Sequence, residues 1–220
     1  MNTQKAIIFD LDGTLIDSLE DIAVCMNQVF EEMGLPTHKI NDYKKFVGGG
    51  VDILVENSLG DSHSREIKKQ VSTRFKEIYD QNLHAKTLPY DGIYELLETL
   101  DKANIKMGIL SNKPHKFTCE YAKSLFKDFN FLEVHGQKEH IEKKPNPTAA
   151  IDIANSFGIN CNEIYFVGDT KIDMQTAKNA QMKAIGVLWG FREEDELREH
   201  GADFIVEKPS DIFDIINQSK

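Results

Sequence analysis

A chain of 220 residues, 40% hydrophobic and 28% charged, is long enough to bury a core without disulfides and has the composition of a soluble globular protein. Its 36 acidic and 26 basic residues give a formal net charge of −10, which argues against nucleic acid and anionic membranes as partners. Three cysteines without CxxC spacing (Cys25, Cys119 and Cys161) and the lack of a long apolar run exclude a disulfide framework and a membrane span, so we expect a cytoplasmic protein.

The first predicted element is a strand at residues 6–9, since a short run of Ala, Ile and Phe ended by a polar turn is typical of a strand buried on both faces. From residue 17 to residue 87 the apolar residues recur at helical spacing and predict three helices, with no strand. A helical stretch of this length after the first strand is typical of an inserted domain. We therefore predict an all-helical cap domain at residues 17–87 and a core made of residues 1–16 and 88–220.

The rest of the chain alternates strands with helices. Further strands are predicted at residues 106–110, 164–167, 184–188 and 204–206, and a short final helix is predicted at residues 212–220. Helical patterns fill the intervals between these strands. This alternation predicts an α/β fold with a doubly wound, mainly parallel sheet.

The polar residues near the ends of the predicted strands are the candidate functional residues, because ligands of open parallel sheets bind at the carboxyl ends of the strands. Carboxylates dominate this set and would repel one another without a cation. Asp10, Asp169 and Asp173 offer the hard oxygen ligands that suit Mg²⁺, and neither His nor Cys accompanies them, which disfavours zinc. Ser111 and Lys144 add a hydroxyl donor and a positive charge, as a phosphoryl group requires. These residues predict a Mg²⁺-dependent phosphoryl-transfer site.

Four short motifs resemble those of the haloacid dehalogenase-like hydrolase superfamily, in the same order and across essentially the whole chain. Residues 10–14 (Asp-Leu-Asp-Gly-Thr) resemble the DxDGT signature, residues 110–112 (Leu-Ser-Asn) the second motif, residues 144–145 (Lys-Pro) the third, and residues 168–173 (Gly-Asp-Thr-Lys-Ile-Asp) the fourth. The resemblance implies a Rossmann-like core with a helical cap between the first two motifs.

The resemblance also implies a mechanism. Asp10 would attack phosphorus and form an aspartyl-phosphate, while Asp12 would protonate the leaving group and then activate the water that hydrolyses the intermediate. Because dehalogenating members of the superfamily lack this second aspartate, Asp12 favours a phosphatase. Ser111 and Lys144 would complete the catalytic set by binding the phosphoryl group. The implied metal ligands are Asp10, the backbone carbonyl of Asp12, Asp169 and, from the same helical turn as Asp169, Asp173.

The predicted cap adds candidate substrate contacts. Residues 45–56 are similar to the cap of phosphoglycolate phosphatases, and the three glycines at 48–50 would expose backbone N–H groups able to bind an anion. Thr14 is expected to orient Asp12. The expected substrate-binding residues are Thr14, Ser111, Asn112, Lys144, Gly48, Gly49 and Lys45.

The resulting expectation is a monomer or homodimer that hydrolyses 2-phosphoglycolate to glycolate and phosphate. An inorganic pyrophosphatase, a sugar-phosphate phosphatase of broad specificity and a phosphomutase stay open on the motifs alone. A receiver-like phospho-acceptor is a different class with similar residues. Receivers, however, have no inserted cap, and their phosphorylated aspartate follows a later strand.

Overall fold

Strands and helices alternate along most of the chain in the computed structural model, which describes residues 5–218. The strands are β1 (Ala6–Phe9), β2 (Ile16–Asp17), β3 (Leu88–Pro89), β4 (Lys106–Pro114), β5 (Phe131–Gln137), β6 (Ile164–Gly168), β7 (Lys183–Val187) and β8 (Phe204–Val206). The α-helices are α1 (Leu19–Glu32), α2 (Val51–Leu59), α3 (Arg65–Gln81), α4 (Ile93–Lys102), α5 (His115–Leu125), α6 (Thr148–Phe157), α7 (Lys171–Asn179), α8 (Glu194–Glu199) and α9 (Ser210–Gln218). Two 3-10 helices span Ile40–Lys45 and Cys161–Glu163. Among residues 5–218, none of the helices has both the length and the hydropathy needed to span a membrane.

Six of the strands form one parallel sheet in the order β5-β4-β1-β6-β7-β8. Successive side chains of β1 enter different cores, because residues of a strand alternate between the faces of a sheet. Ile7 and Phe9 pack in one core with residues of α4, α5 and α9, whereas Ala6 and Ile8 pack in the other with residues of α6 and α7. Helices therefore cover both faces, and the predicted doubly wound parallel sheet is confirmed.

The structure differs from the prediction at two strands of the sheet, β4 and β5, and at the last helix. The sequence predicts no strand at β5, because its residues (Phe-Leu-Glu-Val-His-Gly-Gln) lack a continuous apolar run and its position at the sheet edge leaves them only partly buried. β4 continues to Pro114 instead of ending at residue 110, so that the polar residues 111–113 lie inside the strand. The final helix begins at Ser210, and residues 219–220 of its predicted range lie outside the described residues.

The helical segment (residues 18–87) lies between β2 and β3 and contains α1, α2, α3 and the first 3-10 helix. In it α3 packs against both α1 and α2. β2 and β3 pair antiparallel, so the chain leaves and re-enters the core side by side. The buried carboxylate of Asp21, in α1, links the beginning of the helical segment to its end. Its Oδ2 accepts hydrogen bonds from the backbone N–H of Lys86 (3.1 Å) and from the N–H (2.9 Å) and Oγ1 (2.6 Å) of Thr87.

Candidate active site

Three buried carboxylates meet at the carboxyl edge of the sheet. Asp10 directly follows β1 and Asp169 directly follows β6, and these two strands are neighbours. Asp173 lies in the first turn of α7. The three residues are 6%, 0% and 1% exposed, and a carboxylate oxygen of each lies within 4.8 Å of the other two. The order of the strands thus brings Asp10 beside Asp169 and Asp173, which are 159 and 163 positions away in the chain.

Lys144 lies between two of these carboxylates. Its Nζ donates to Oδ1 of Asp10 (2.7 Å) and to Oδ1 of Asp173 (2.6 Å), and its side chain is 2% exposed. Burial by itself would lower the pKa of this ammonium, but the two carboxylates raise the pKa above its ordinary value. Lys144 therefore stays protonated and supplies one positive charge to the cluster.

One lysine does not neutralise three buried carboxylates. Burial raises the pKa of Asp10 to about 7, although Lys144 opposes the shift. Burial, with the neighbouring Asp173 and Asp10 as further causes, raises the pKa of Asp169 well above its ordinary value. A bound divalent cation would offset this cost. The grouped donors are all carboxylate oxygens, which fit a hard cation better than zinc, so the residues present fit a metal of the Mg²⁺ type.

Asp173 is held differently from the sequence prediction. Because α7 begins at Lys171, Asp169 lies before the helix, and the expectation that Asp169 and Asp173 share a helical turn is wrong. Thr170 is the N-cap residue, and both its backbone N–H (3.1 Å) and its Oγ1 (2.7 Å) donate to Oδ2 of Asp173. The Asp173 carboxylate therefore stabilises the start of α7 as well as belonging to the cluster.

Asp12 lies beside the cluster and contacts two side chains to which the sequence assigns no role. Oγ of Ser18 donates to Oδ1 of Asp12 at 2.5 Å. Nζ of Lys113 donates to Oδ1 at 2.9 Å and to Oδ2 at 3.2 Å. These bonds fix the orientation of the Asp12 carboxylate, whose side chain remains 17% exposed.

Thr14 does not orient Asp12, so that prediction is wrong. The Thr14 side chain is fully buried, and its Oγ1 donates to Oδ1 of Asp169 at 3.3 Å. The turn at Gly13, where φ is +85°, places Thr14 on the Asp169 side of the loop. A Cβ at Gly13 would lie 2.3 Å from Oδ2 of Asp169, so this loop approaches the carboxylate as closely as only glycine allows. Thr14 and Gly13 therefore position a predicted metal ligand.

Asn112 connects the core to the glycine segment at 48–50. Its Oδ1 accepts from the backbone N–H of Lys144 (2.9 Å), and its Nδ2 donates to the carbonyl oxygens of Lys144 (3.1 Å) and Gly48 (3.2 Å). Both ends of the amide are engaged, so the side chain positions Lys144 and Gly48. This is contrary to the prediction that Asn112 binds the substrate. Ser111, 4% exposed, precedes it in β4 and lines the adjoining pocket.

A pocket opens between the carboxyl edge of the sheet and the helical segment. Gly48 and Gly50 line it, but Gly49 is not among the lining residues, and a Cβ at Gly49 would lie 2.7 Å from the side chain of Ile53. Lys45 is exposed at the end of the first 3-10 helix and is not among the residues that line the pocket, contrary to the prediction. The polar side of the pocket is Asp10, Asp12, Ser111, Asn112 and Lys113, and its apolar wall is Ile22, Val47, Val51, Leu54, Phe75 and Phe117.

Lys113 and Tyr79 are pocket residues to which the sequence assigned no role. Nζ of Lys113 donates to the hydroxyl of Tyr79 at 2.8 Å, and the lysine side chain is 5% exposed. A signal for Lys113 existed, since it closely follows the predicted strand at residues 106–110, and ligands of open parallel sheets bind at the carboxyl ends of strands. Tyr79 carried no such signal, because its place in the apolar stripe of α3 is equally typical of a core residue.

The similarity of this chain to known proteins covers nearly its whole length. The model of the haloacid dehalogenase-like hydrolase family matches residues 7–187. A phosphoglycolate phosphatase from Vibrio parahaemolyticus is 31% identical over 218 residues, with 96% of each chain covered. Another from Aquifex aeolicus is 32% identical over 213 residues, with 97% of each chain covered. The crystal structure of a protein from Lactobacillus delbrueckii subsp. bulgaricus is 30% identical and superposes with a TM-score of 0.90, covering 97% of this chain and 98% of that chain.

Proposed function

This chain belongs to the haloacid dehalogenase-like hydrolase family, and we propose that it is a metal-dependent phosphatase that hydrolyses 2-phosphoglycolate to glycolate and phosphate. The observation that carries the proposal is the similarity, over 96% of both chains, to a phosphoglycolate phosphatase. The presence of both Asp10 and Asp12 in the pocket lining agrees with this proposal, because a general acid beside the nucleophile can protonate the leaving group of a phosphate ester.

In this proposal each polar side chain of the site has one task. Asp10 attacks phosphorus, and an aspartyl-phosphate forms as the bond to the ester oxygen breaks. Asp12, oriented by Ser18 and Lys113, gives its proton to the leaving oxygen and then takes a proton from the water that attacks the aspartyl-phosphate. Ser111 donates to a phosphoryl oxygen, and Lys144 offsets the negative charge of Asp10 and phosphate.

The proposed metal is Mg²⁺. Its ligands would be the carboxylates of Asp10 and Asp169 and the backbone carbonyl of Asp12, with Asp173 in support. When bound, the cation neutralises charge on the phosphoryl oxygens. The raised pKa of Asp10 and Asp169 supports a cation at this position, since both shifts express the cost of keeping carboxylates charged in a buried cluster.

Residues 17–87 are proposed to form a cap domain that closes over the pocket, with residues 1–16 and 88–220 as the catalytic core. The pairing of β2 with β3 supports this division, because the segment is joined to the sheet through a single two-stranded connection. Closure would exclude water from the reacting phosphate.

The protein is proposed to act in the cytoplasm, as its three free cysteines suggest. It is proposed to act as a monomer or homodimer, since one chain supplies every side chain named.

The test of the proposed function is phosphate release from a panel of substrates in the presence of MgCl₂. The panel contains 2-phosphoglycolate, pyrophosphate, hexose phosphates and nucleoside monophosphates, with Asp10→Asn as the inactive control. We expect the highest kcat/KM with 2-phosphoglycolate. A higher value for any other member would refute this substrate, and a preference for pyrophosphate would establish the main alternative.

A further inference from the structure

We propose that Lys113 recognises the substrate: its ammonium binds a carboxylate that lies two bonds from the ester oxygen of a phosphomonoester. This inference rests on the proposed phosphatase function and names the side chain that selects the substrate class. It differs from the sequence expectation, which placed anion recognition on the glycine segment and on Lys45.

The charges around the pocket favour Lys113 for this task. Among the described residues that line the pocket, Lys113 carries the only positive charge. Neither Lys144, which lies between Asp10 and Asp173, nor the exposed Lys45 is among the residues that line the pocket. The wall opposite the carboxylates is apolar. A carboxylate that enters such a pocket loses its hydration and needs a charged or hydrogen-bonding partner, and Lys113 is the cation that the pocket offers.

The contact of Lys113 with Asp12 places its ammonium near the carboxylate end of such a substrate. Its Nζ lies 2.9 Å from Oδ1 of Asp12, and Asp12 is the proposed proton donor to the ester oxygen. A proton donor must lie within hydrogen-bond reach of that oxygen. In 2-phosphoglycolate the carboxylate carbon is two bonds from the same oxygen. An ammonium that touches Asp12 is therefore also within reach of the carboxylate when the phosphate lies at Asp10.

Lys113 is held in place before a substrate arrives. The Tyr79 hydroxyl accepts a hydrogen bond from its Nζ at 2.8 Å and in turn lies 3.0 Å from the hydroxyl of Tyr121. The Nζ also lies over the rings of Tyr79 and Tyr121, at 4.6 Å and 5.1 Å from their centroids. Tyr79 comes from α3 of the helical segment and Tyr121 from α5 of the core. Such preorganisation limits the entropy lost when a ligand binds.

A purely orienting role of Lys113 toward Asp12 makes a different prediction. Orientation of the acid affects every phosphate ester alike, because each has the same ester oxygen. Recognition of a carboxylate affects only substrates that carry one. The two roles are therefore separated by a pair of substrates that differ in this group alone.

The experiment compares kcat/KM for 2-phosphoglycolate and for 2-hydroxyethyl phosphate, in which a neutral hydroxymethyl group replaces the carboxylate. The enzymes are the wild type, Lys113→Gln, Lys113→Met and the control Lys123→Met, which removes an exposed lysine of α5. We expect the wild type to prefer 2-phosphoglycolate and the Lys113 variants to lose roughly 10- to 100-fold of that preference, the value of a hydrogen bond to a charged group. Lys123→Met should keep the full preference.

Three results would overturn the inference. In the first, Lys113→Gln lowers kcat/KM for both substrates by the same factor, which assigns Lys113 to Asp12 alone. In the second, the wild type hydrolyses both substrates equally well, a result that needs no folded variant. A wild type that prefers pyrophosphate or a hexose phosphate refutes the proposed function instead. A preference for 2-phosphoglycolate that survives in Lys113→Gln refutes only the role of Lys113.

Discussion

Replacing Lys144 by methionine removes the cation between Asp10 and Asp173, and we expect the metal-free protein to lose stability. Nζ lies 2.7 Å from Asp10 and 2.6 Å from Asp173, in side chains that are at most 9% exposed. Methionine fills a similar volume, so the change is mainly one of charge. Removing one partner of a buried ion pair costs about 3–5 kcal/mol, because the remaining charge is left uncompensated. For a chain of this size, that is a fall in melting temperature of roughly 6–20 °C.

The pH dependence of this loss has a definite sign. The pKa of Asp10 is raised from 3.8 to about 7, and the pKa of Asp169 is raised too. Above about pH 4 the folded protein therefore holds protons that the unfolded chain has released, and stability falls as the pH rises through about 7. Lys144 opposes the rise in the pKa of Asp10. Without it, the deficit of the variant should be small near pH 4 and largest near pH 8.

The assay is thermal unfolding followed by circular dichroism in EDTA, from about pH 4 to about pH 8. The matched control is Lys178→Met, which breaks a 2.5 Å ion pair with Asp203 whose side chains are 42% and 37% exposed. Solvent screens that pair, so its loss should cost no more than about 1 kcal/mol. A Lys144→Met deficit that is independent of pH, or no larger than that of Lys178→Met, would refute the reasoning.

Three further predictions test the site. Asp10→Asn should lower phosphate release by several orders of magnitude while the protein stays folded, since the amide is a poor nucleophile. EDTA should abolish activity and MgCl₂ restore it, and Mg²⁺ should raise the melting temperature of the wild type more than that of Asp169→Asn, because a ligand of the folded state stabilises it. Gly190→Ala should destabilise the protein by about 1–3 kcal/mol and raise the Mg²⁺ concentration needed for half-maximal activity. Its Cβ would lie 2.3 Å from Cβ of Asp169 and 2.4 Å from the carbonyl oxygen of Gly13.

Each of these predictions has a contrary outcome. Substantial turnover by Asp10→Asn would mean that another group attacks phosphorus. Full activity in EDTA would contradict a metal at the carboxylate cluster. For Gly190→Ala the control is Gly158→Ala, which is strained by its φ of +65° but whose Cβ would meet nothing within 4 Å. Of these two glycines, Gly190 lies against Asp169 and Gly158 does not, so an equal change in Mg²⁺ requirement in both variants would contradict the steric argument.

The sequence predicted the elements whose residues carry a one-dimensional signal. β1 and β6 are continuous apolar runs, and their lengths and the carboxylates behind them were predictable because a buried parallel strand tolerates few polar residues. β5 was not predictable in this way, since as an edge strand it is held by backbone bonds to β4 while most of its side chains remain only partly buried. The alternation of strands and helices predicts a parallel sheet but not the order of its strands. That order brings Asp10 beside Asp169.

Contacts between distant parts of the chain account for what the sequence could not show. Lys113 lies 101 positions from Asp12 and 34 from Tyr79, so neither partner is visible in a local pattern. Thr14 was predicted to serve its neighbour Asp12, but its hydroxyl bonds to Asp169, 155 positions away, because the turn at Gly13 redirects the backbone. Residue types thus predicted the chemistry of the site, whereas the partners of each group required the fold.

The antiparallel pairing of β2 with β3 has a consequence for how this architecture can vary. Ile16 is paired with Pro89 and Asp17 with Leu88, so the helical segment enters and leaves the sheet through one narrow neck. Paired residues of a ladder are only about 5 Å apart, which a short turn can also bridge. The segment can therefore be lengthened, shortened or exchanged during evolution without changing the order of the strands. The apolar wall contributed by the segment can diversify in this way, while the carboxylates, Lys144 and Lys113 lie outside the segment and are not altered by such a change.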